Sequence, residues 1–188
     1  MSRTVLLMIL VTAFSILAGT SFANGEIKVT PPSNWQASPT NNSTAMAWFQ
    51  NSTKSVFVIY KVPDNLSFPL ILVGPFMSQF LTNQGALESV DQISFGNNNY
   101  GYRYFLNLSS PSKLMNSSSD LFPEGGVFGK IPKETDVPYK GMLIISEKQG
   151  DLYAILFGSP SKNFDSVLNK IKTSLDSIQL NNSANVSK

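Results

Sequence analysis

The side chains able to do chemistry in this sequence are tyrosines and carboxylates, because histidine and cysteine are both absent. Without histidine there is no usual general base, no serine or cysteine triad in its common form, and no imidazole for a transition metal. Without cysteine, thiol chemistry and disulfide staples are excluded too. Twelve acidic residues remain. A glycosidase needs two of them converging in a cleft, and they are scattered with no suggestive pair. Asp120, Glu124, Glu134 and Asp136 do share one stretch, together with Lys113, Lys130 and Lys133. Oxygen ligands of this kind suit calcium, but the Asp-x-Asp-x-Asp-Gly pattern is missing, so a solvated, charge-balanced loop is expected. Gly125-Gly126-Val127-Phe128-Gly129-Lys130 lacks the spacing and the preceding strand of a phosphate-binding loop. The residues therefore predict no catalytic group, no cofactor and no metal.

Tyr100, Tyr102 and Tyr104 alternate, which places them on one face of a strand. Each ring offers an apolar face and a polar tip, so the row is a candidate surface for a sugar or another flat ligand. More often such a row is half-buried packing beneath a helix or loop.

A second set of residues points to export. Arg3 precedes an apolar run from Thr4 to Gly19, and Ser21-Phe22-Ala23 offers a small-x-small cleavage site before Asn24. The run is shorter than the roughly 20 residues of a membrane span, and no cysteine is present for lipid attachment. Residues 1–23 are thus expected to be a signal peptide, and the chain from Asn24 a secreted or extracytoplasmic protein at a cell surface, in a periplasm or in a lumen. Asn-x-Ser/Thr occurs at Asn41, Asn42, Asn51, Asn65, Asn107, Asn116, Asn181 and Asn185, more often than the composition gives by chance. These asparagines are glycosylation candidates, and Asn41 and Asn42 overlap so that one of the pair is used. The formal charge is +2, and +1 without Arg3, which argues against nucleic acid or an anionic membrane as the main partner.

The elements that must position these groups follow from periodicity. Met142-Leu143-Ile144-Ile145 and Leu152 to Phe157 are apolar on both faces, as in strands at the centre of a covered sheet, and Gly150 closes the loop between them. Phe164, Leu168, Ile171, Leu175 and Ile178, widened by Val167, form one helical stripe after Pro160, with Ser159 or Asn163 as cap. Upstream, strands are expected over 26–30, 45–50, 55–60, 89–95 and 100–106, with turns at 51–54 and 96–99. Trp35 should fold back on the core. A Pro-bounded linker spans 63–69, and a short helix runs from about Pro75, in its first turn, to Gln84, closed by Gly85. Residues 109–138 read as a long irregular loop, and 181–188 as a disordered polar tail. Residues 24–180 form a single domain, long enough for a core without staples.

This order of elements, with the turn Pro32-Ser33-Asn34-Trp35 and the helix end Ser174-Leu175-Asp176-Ser177-Ile178, resembles the PsbP-like family over roughly residues 27–180. That family is named for the extrinsic lumenal subunit of photosystem II. The resemblance implies an α+β fold: a central antiparallel sheet of about six to seven strands, sandwiched by a short middle helix and a C-terminal amphipathic helix. It also implies an exported accessory protein without catalysis, a monomer that binds a larger protein complex at the outer face of a membrane or cell surface. Histidine ligands do not carry over, because none exist here. The close on Ser177-Ile178, where the family has a Ser-Phe-like pair, and the Ser-rich 109–138 stretch depart from the pattern. The alternative expectation is a binder of a small apolar or sugar ligand, held between the sheet and the Phe76 helix or along the tyrosines.

Overall fold

The computed structural model describes residues 22–23, 27–38, 45–62, 69–108 and 137–180. Asn24, six of the sequons (Asn41, Asn42, Asn65, Asn116, Asn181, Asn185), the 181–188 tail and all but the end of the 109–138 loop lie outside these residues.

In chain order the elements are β1 (Phe22–Ala23), β2 (Ile27–Val29), β3 (Gln36–Ser38), β4 (Ala45–Gln50), β5 (Ser55–Lys61) and α1 (Leu70–Asn83). Then come β6 (Leu87–Phe95), β7 (Asn99–Leu108), β8 (Tyr139–Lys148), β9 (Asp151–Pro160), α2 (Phe164–Asp176) and β10 (Gln179–Leu180). Seven strands make one antiparallel sheet in the order β3-β4-β5-β9-β8-β7-β6. The α+β class and the sandwiched antiparallel sheet are as expected from the sequence.

Turn chemistry fixes the registers. Gln149 (φ 55°) and Gly150 (φ 93°) close β8–β9 as a two-residue turn with both central residues left-handed. Lys54 does the same for β4–β5, and Gly96 with Asn98 for β6–β7. Because side chains alternate along a strand, β9 sends Leu152, Ala154 and Leu156 into one core and Tyr153, Ile155 and Phe157 into the other. Helix α1 covers the first core through Leu70, Met77 and Leu81; α2 covers the second through Phe164, Val167 and Ile171. Trp35 joins the α2 side.

Four details differ from the sequence expectation. The Ile27–Val29 strand sits outside the main sheet, paired with β1 and β10, and Gln36–Ser38 takes the edge place beside β4. The first helix begins at Leu70, so Pro75 lies inside it. The carbonyl that Pro75 cannot serve belongs to Ile71, which is 72% exposed. Pro160 ends β9 opposite Tyr139, and a 3-10 turn, Ser161–Asn163, precedes α2. Neither expected cap acts as one: Ser159 is buried in β9, where its Oγ meets the Ser55 Oγ, and the Asn163 side chain makes no capping bond. Finally, Ser174 is buried on α2 while Leu168 and Leu175 are half-buried flanks, so the stripe is centred on Phe164, Val167 and Ile171.

Candidate functional site

Helix α1 carries no charged residue, and neither does the whole stretch 65–87. Its buried side is a narrow line, Leu70, Gly74, Met77 and Leu81, spaced 4, 3 and 4. At its start Pro69 offers no side-chain cap, and the Leu70 N–H instead donates to Glu147 Oε2 at 2.8 Å, placing a carboxylate from β8 at the positive end of the helix. At its end Gly85 takes φ 65°; its N–H donates to the Thr82 carbonyl and the Ala86 N–H to the Leu81 carbonyl, the paired bonds of a Schellman close. Both ends are therefore fixed.

The middle is fixed by the tyrosines. A Cβ on Gly74 would come within 2.5 Å of the Tyr102 ring, so this glycine lets the helix settle on it. Tyr104, fully buried, donates its hydroxyl to the Gly74 carbonyl at 3.0 Å. Burial pushes the Tyr104 phenol up to about 12. Tyr100 is 46% exposed, and its carbonyl accepts from Ser146 Oγ at 2.6 Å. Of the expected tyrosine surface, Tyr102 and Tyr104 thus lie beneath α1 and Tyr100 opens to solvent.

The first half of α1 presents an apolar outer face, and the second half presents Gln79, Thr82 and Asn83. Ile71, Leu72 and Phe76 are 72, 62 and 58% exposed, with Pro75 between them. Val90, opposite Tyr104 in the β6–β7 register, and Tyr100 share the sheet face on which α1 lies. Five of the six large exposed hydrophobics among the described residues therefore belong to one side of the molecule, and this concentration makes that side the candidate site. Its geometry suits burial against another surface rather than bond making. No titratable group lies on the exposed helix face, and among the described residues no cluster of three or more acidic, histidine or cysteine side chains could hold a metal ion.

The opposite sheet face differs. There Asp91 receives both Nε and Nη2 of Arg103, whose guanidinium also lies 5.0 Å from the Phe105 ring centre, and Lys140 Nζ meets Glu88 Oε1 at 3.0 Å. Asn107, a described sequon, is exposed on this face. The other, Asn51, sits in the β4–β5 turn, four strands of the sheet away from β7. Asn107 is thus on the face away from α1. A polar groove of about 490 Å³ runs between Lys28, Thr30, Asn97, Asp176, Ser177 and Gln179, with Thr30 N–H donating to Ser177 Oγ at 2.8 Å. The expected cleavage position, Ala23, pairs with Lys28 across β1–β2.

Sequence reasoning did not single out Ile71, Leu72 or Val90. The available signal was an uncharged helix whose first half, Leu70 to Met77, carries no polar side chain.

No protein-family model matches the chain, and no curated protein matches it. Solved structures do. LpqN, involved in cell envelope biogenesis of Mycobacterium tuberculosis, is 10% identical with a TM-score of 0.51, over 87% of this chain and 90% of LpqN. A protein from Bacteroides thetaiotaomicron is 11% identical with a TM-score of 0.50, over 89% of this chain and 50% of that one, so this chain spans half its length. Cyanobacterial PsbP from Synechocystis is 11% identical with a TM-score of 0.46, over 86% of this chain and 90% of its own. At such identities the likeness concerns the fold alone. No helix among the described residues is long and apolar enough to cross a membrane.

Proposed function

We propose that this is an exported, non-enzymatic accessory protein of the cell envelope, a monomer that docks on a larger protein complex through the outer face of α1. The observation that carries the reading is the grouping of Ile71, Leu72, Phe76, Val90 and Tyr100 on one side, on a helix whose ends and middle are held rigid. A preformed apolar face loses little entropy on binding, which favours docking over mere tolerance of exposed side chains. The absence of any Lys or Arg from 65–87 favours a protein over an anionic lipid surface, which draws basic residues to an interfacial helix. Export is supported by the sequence of residues 1–23, and the fold it shares with LpqN brings an envelope setting into the proposal. An N-glycan at Asn107 would leave the α1 side clear.

The test is substitution of Phe76 by Asp, with residue-specific crosslinking from Leu72. A central apolar contact of an interface is worth about 2 kcal/mol or more, so F76D should weaken docking roughly 30-fold or more. It should leave the circular dichroism spectrum unchanged, because Phe76 faces solvent. Unchanged crosslinking by a folded F76D protein would end this reading.

A further inference from the structure

The docking side has a second component, the edge strand β6. The far edge of the sheet is β3, only three residues long, whereas β6 is nine residues long and exposed along most of its length. An edge strand carries a row of unpaired N–H and C=O groups, and proteins usually blunt it with Lys, Pro, a bulge or an unpaired charge. The register shift between Leu87 and Ser89 disturbs only the first residues of β6. From Ser89 to Phe95 there is no Lys and no Pro, and the single carboxylate, Asp91, is already held by Arg103. Among the described residues no strand pairs with the outer edge of β6.

Its two faces differ in chemistry. Val90, then Gln92 and Ser94, face the α1 side, with Val90 continuing the apolar helix surface; on the other face Glu88 and Asp91 stand outside the bases Lys140 and Arg103 with which they pair, followed by Ile93 and Phe95 in the core under α2. A strand laid beside β6 meets the acids first. Apolar residues suit its α1 side and basic residues its other side, since opposite charges on adjacent strands attract. A second copy of this chain fits poorly. Antiparallel β6–β6 pairing would bring the acids of both copies together on one face, and like charges opposed there are destabilising.

We infer that β6 is a strand-addition site that takes an extended segment of the docking partner, with apolar and basic residues alternating. This rests on the docking reading of the α1 face and gives its partner a chemistry. Main-chain bonds to β6 would supply affinity, while Val90 and Asp91 would set side-chain preference.

The probe is the capped heptapeptide Thr-Lys-Val-Lys-Val-Lys-Thr, added to the full chain and followed by amide hydrogen exchange. The expected result is exchange slowed about tenfold or more in β6, with little change in β3, as newly paired amides become protected. The same peptide N-methylated at alternate residues should give no protection, and V90K should weaken binding about tenfold by setting a charge against the peptide's valines on the α1 side. Unchanged β6 exchange, or equal protection by the methylated peptide, would overturn the inference. So would β6 protection that rises with protein concentration without peptide, which would put a second copy there. Crosslinking from Leu72 separates the two readings: a captured partner with an unprotected β6 leaves docking standing and removes strand addition, and neither result removes both.

Discussion

Replacing Gly96 by Ala should destabilise the protein by about 3 kcal/mol, and most of that loss comes from one carbonyl. Gly96 has φ 53°, where a residue with a Cβ loses about 1 kcal/mol. The added Cβ would also come within 2.1 Å of the Ile178 carbonyl oxygen, which is main chain and must retreat. That oxygen accepts the Asn97 N–H at 3.2 Å and Asn99 Nδ2 at 3.0 Å. Asn99 is almost fully buried, so a lost partner there costs about 1–3 kcal/mol more. Gly85 is the matched control: its φ is 65°, but nothing lies within 4 Å of the Cβ position, so only the conformational part applies. The effect of Gly→Ala on the unfolded chain is common to both and cancels. Urea unfolding of the two variants therefore isolates the latch between the β6–β7 turn and the end of α2. If G96A loses no more stability than G85A, the reasoning about that carbonyl is wrong.

Two further outcomes follow from the core. Tyr104 holds its proton to about pH 12 in the folded protein, against about 10 when unfolded, so between these values the unfolded state binds fewer protons. Stability contributed by this group is complete below pH 10 and falls by up to roughly 1.4 kcal/mol per unit above it; Y104F, followed by urea unfolding at pH 9 and pH 11, should reduce that slope. Phe164 packs against Phe157 at 5.2 Å and edge-on to Phe105 at 6.4 Å, and F164A should cost about 3–5 kcal/mol by denaturant midpoint.

Much of the fold was legible because its signals are local. Gly150 and the apolar runs beside it define β8–β9, and Gly96 to Asn99 define the next hairpin. Trp35 and the Phe164–Ile171 stripe land in the core as their types require. The start of α1 was not legible, because proline reads as a first-turn residue by type, and its place inside this helix depends on tertiary packing. The same holds for Ser174, buried on α2 where Leu175 alone would be guessed. Period two put the three tyrosines on one face, but only packing decided that α1 settles on two of them and leaves Tyr100 outside. The candidate site was the least legible part. An exposed leucine and a buried one look alike in sequence, and the contrast between Leu72 and Leu81 arises from how the helix is rotated on the sheet.

The docking claim is met most directly by a photocrosslinker placed at Leu72 in cells that export the protein, with Lys172, exposed on α2, as the opposite-face control. The account predicts one discrete protein adduct from position 72, none from position 172, and loss of the adduct with F76D. No adduct from position 72, or the same adduct from both positions, would contradict it.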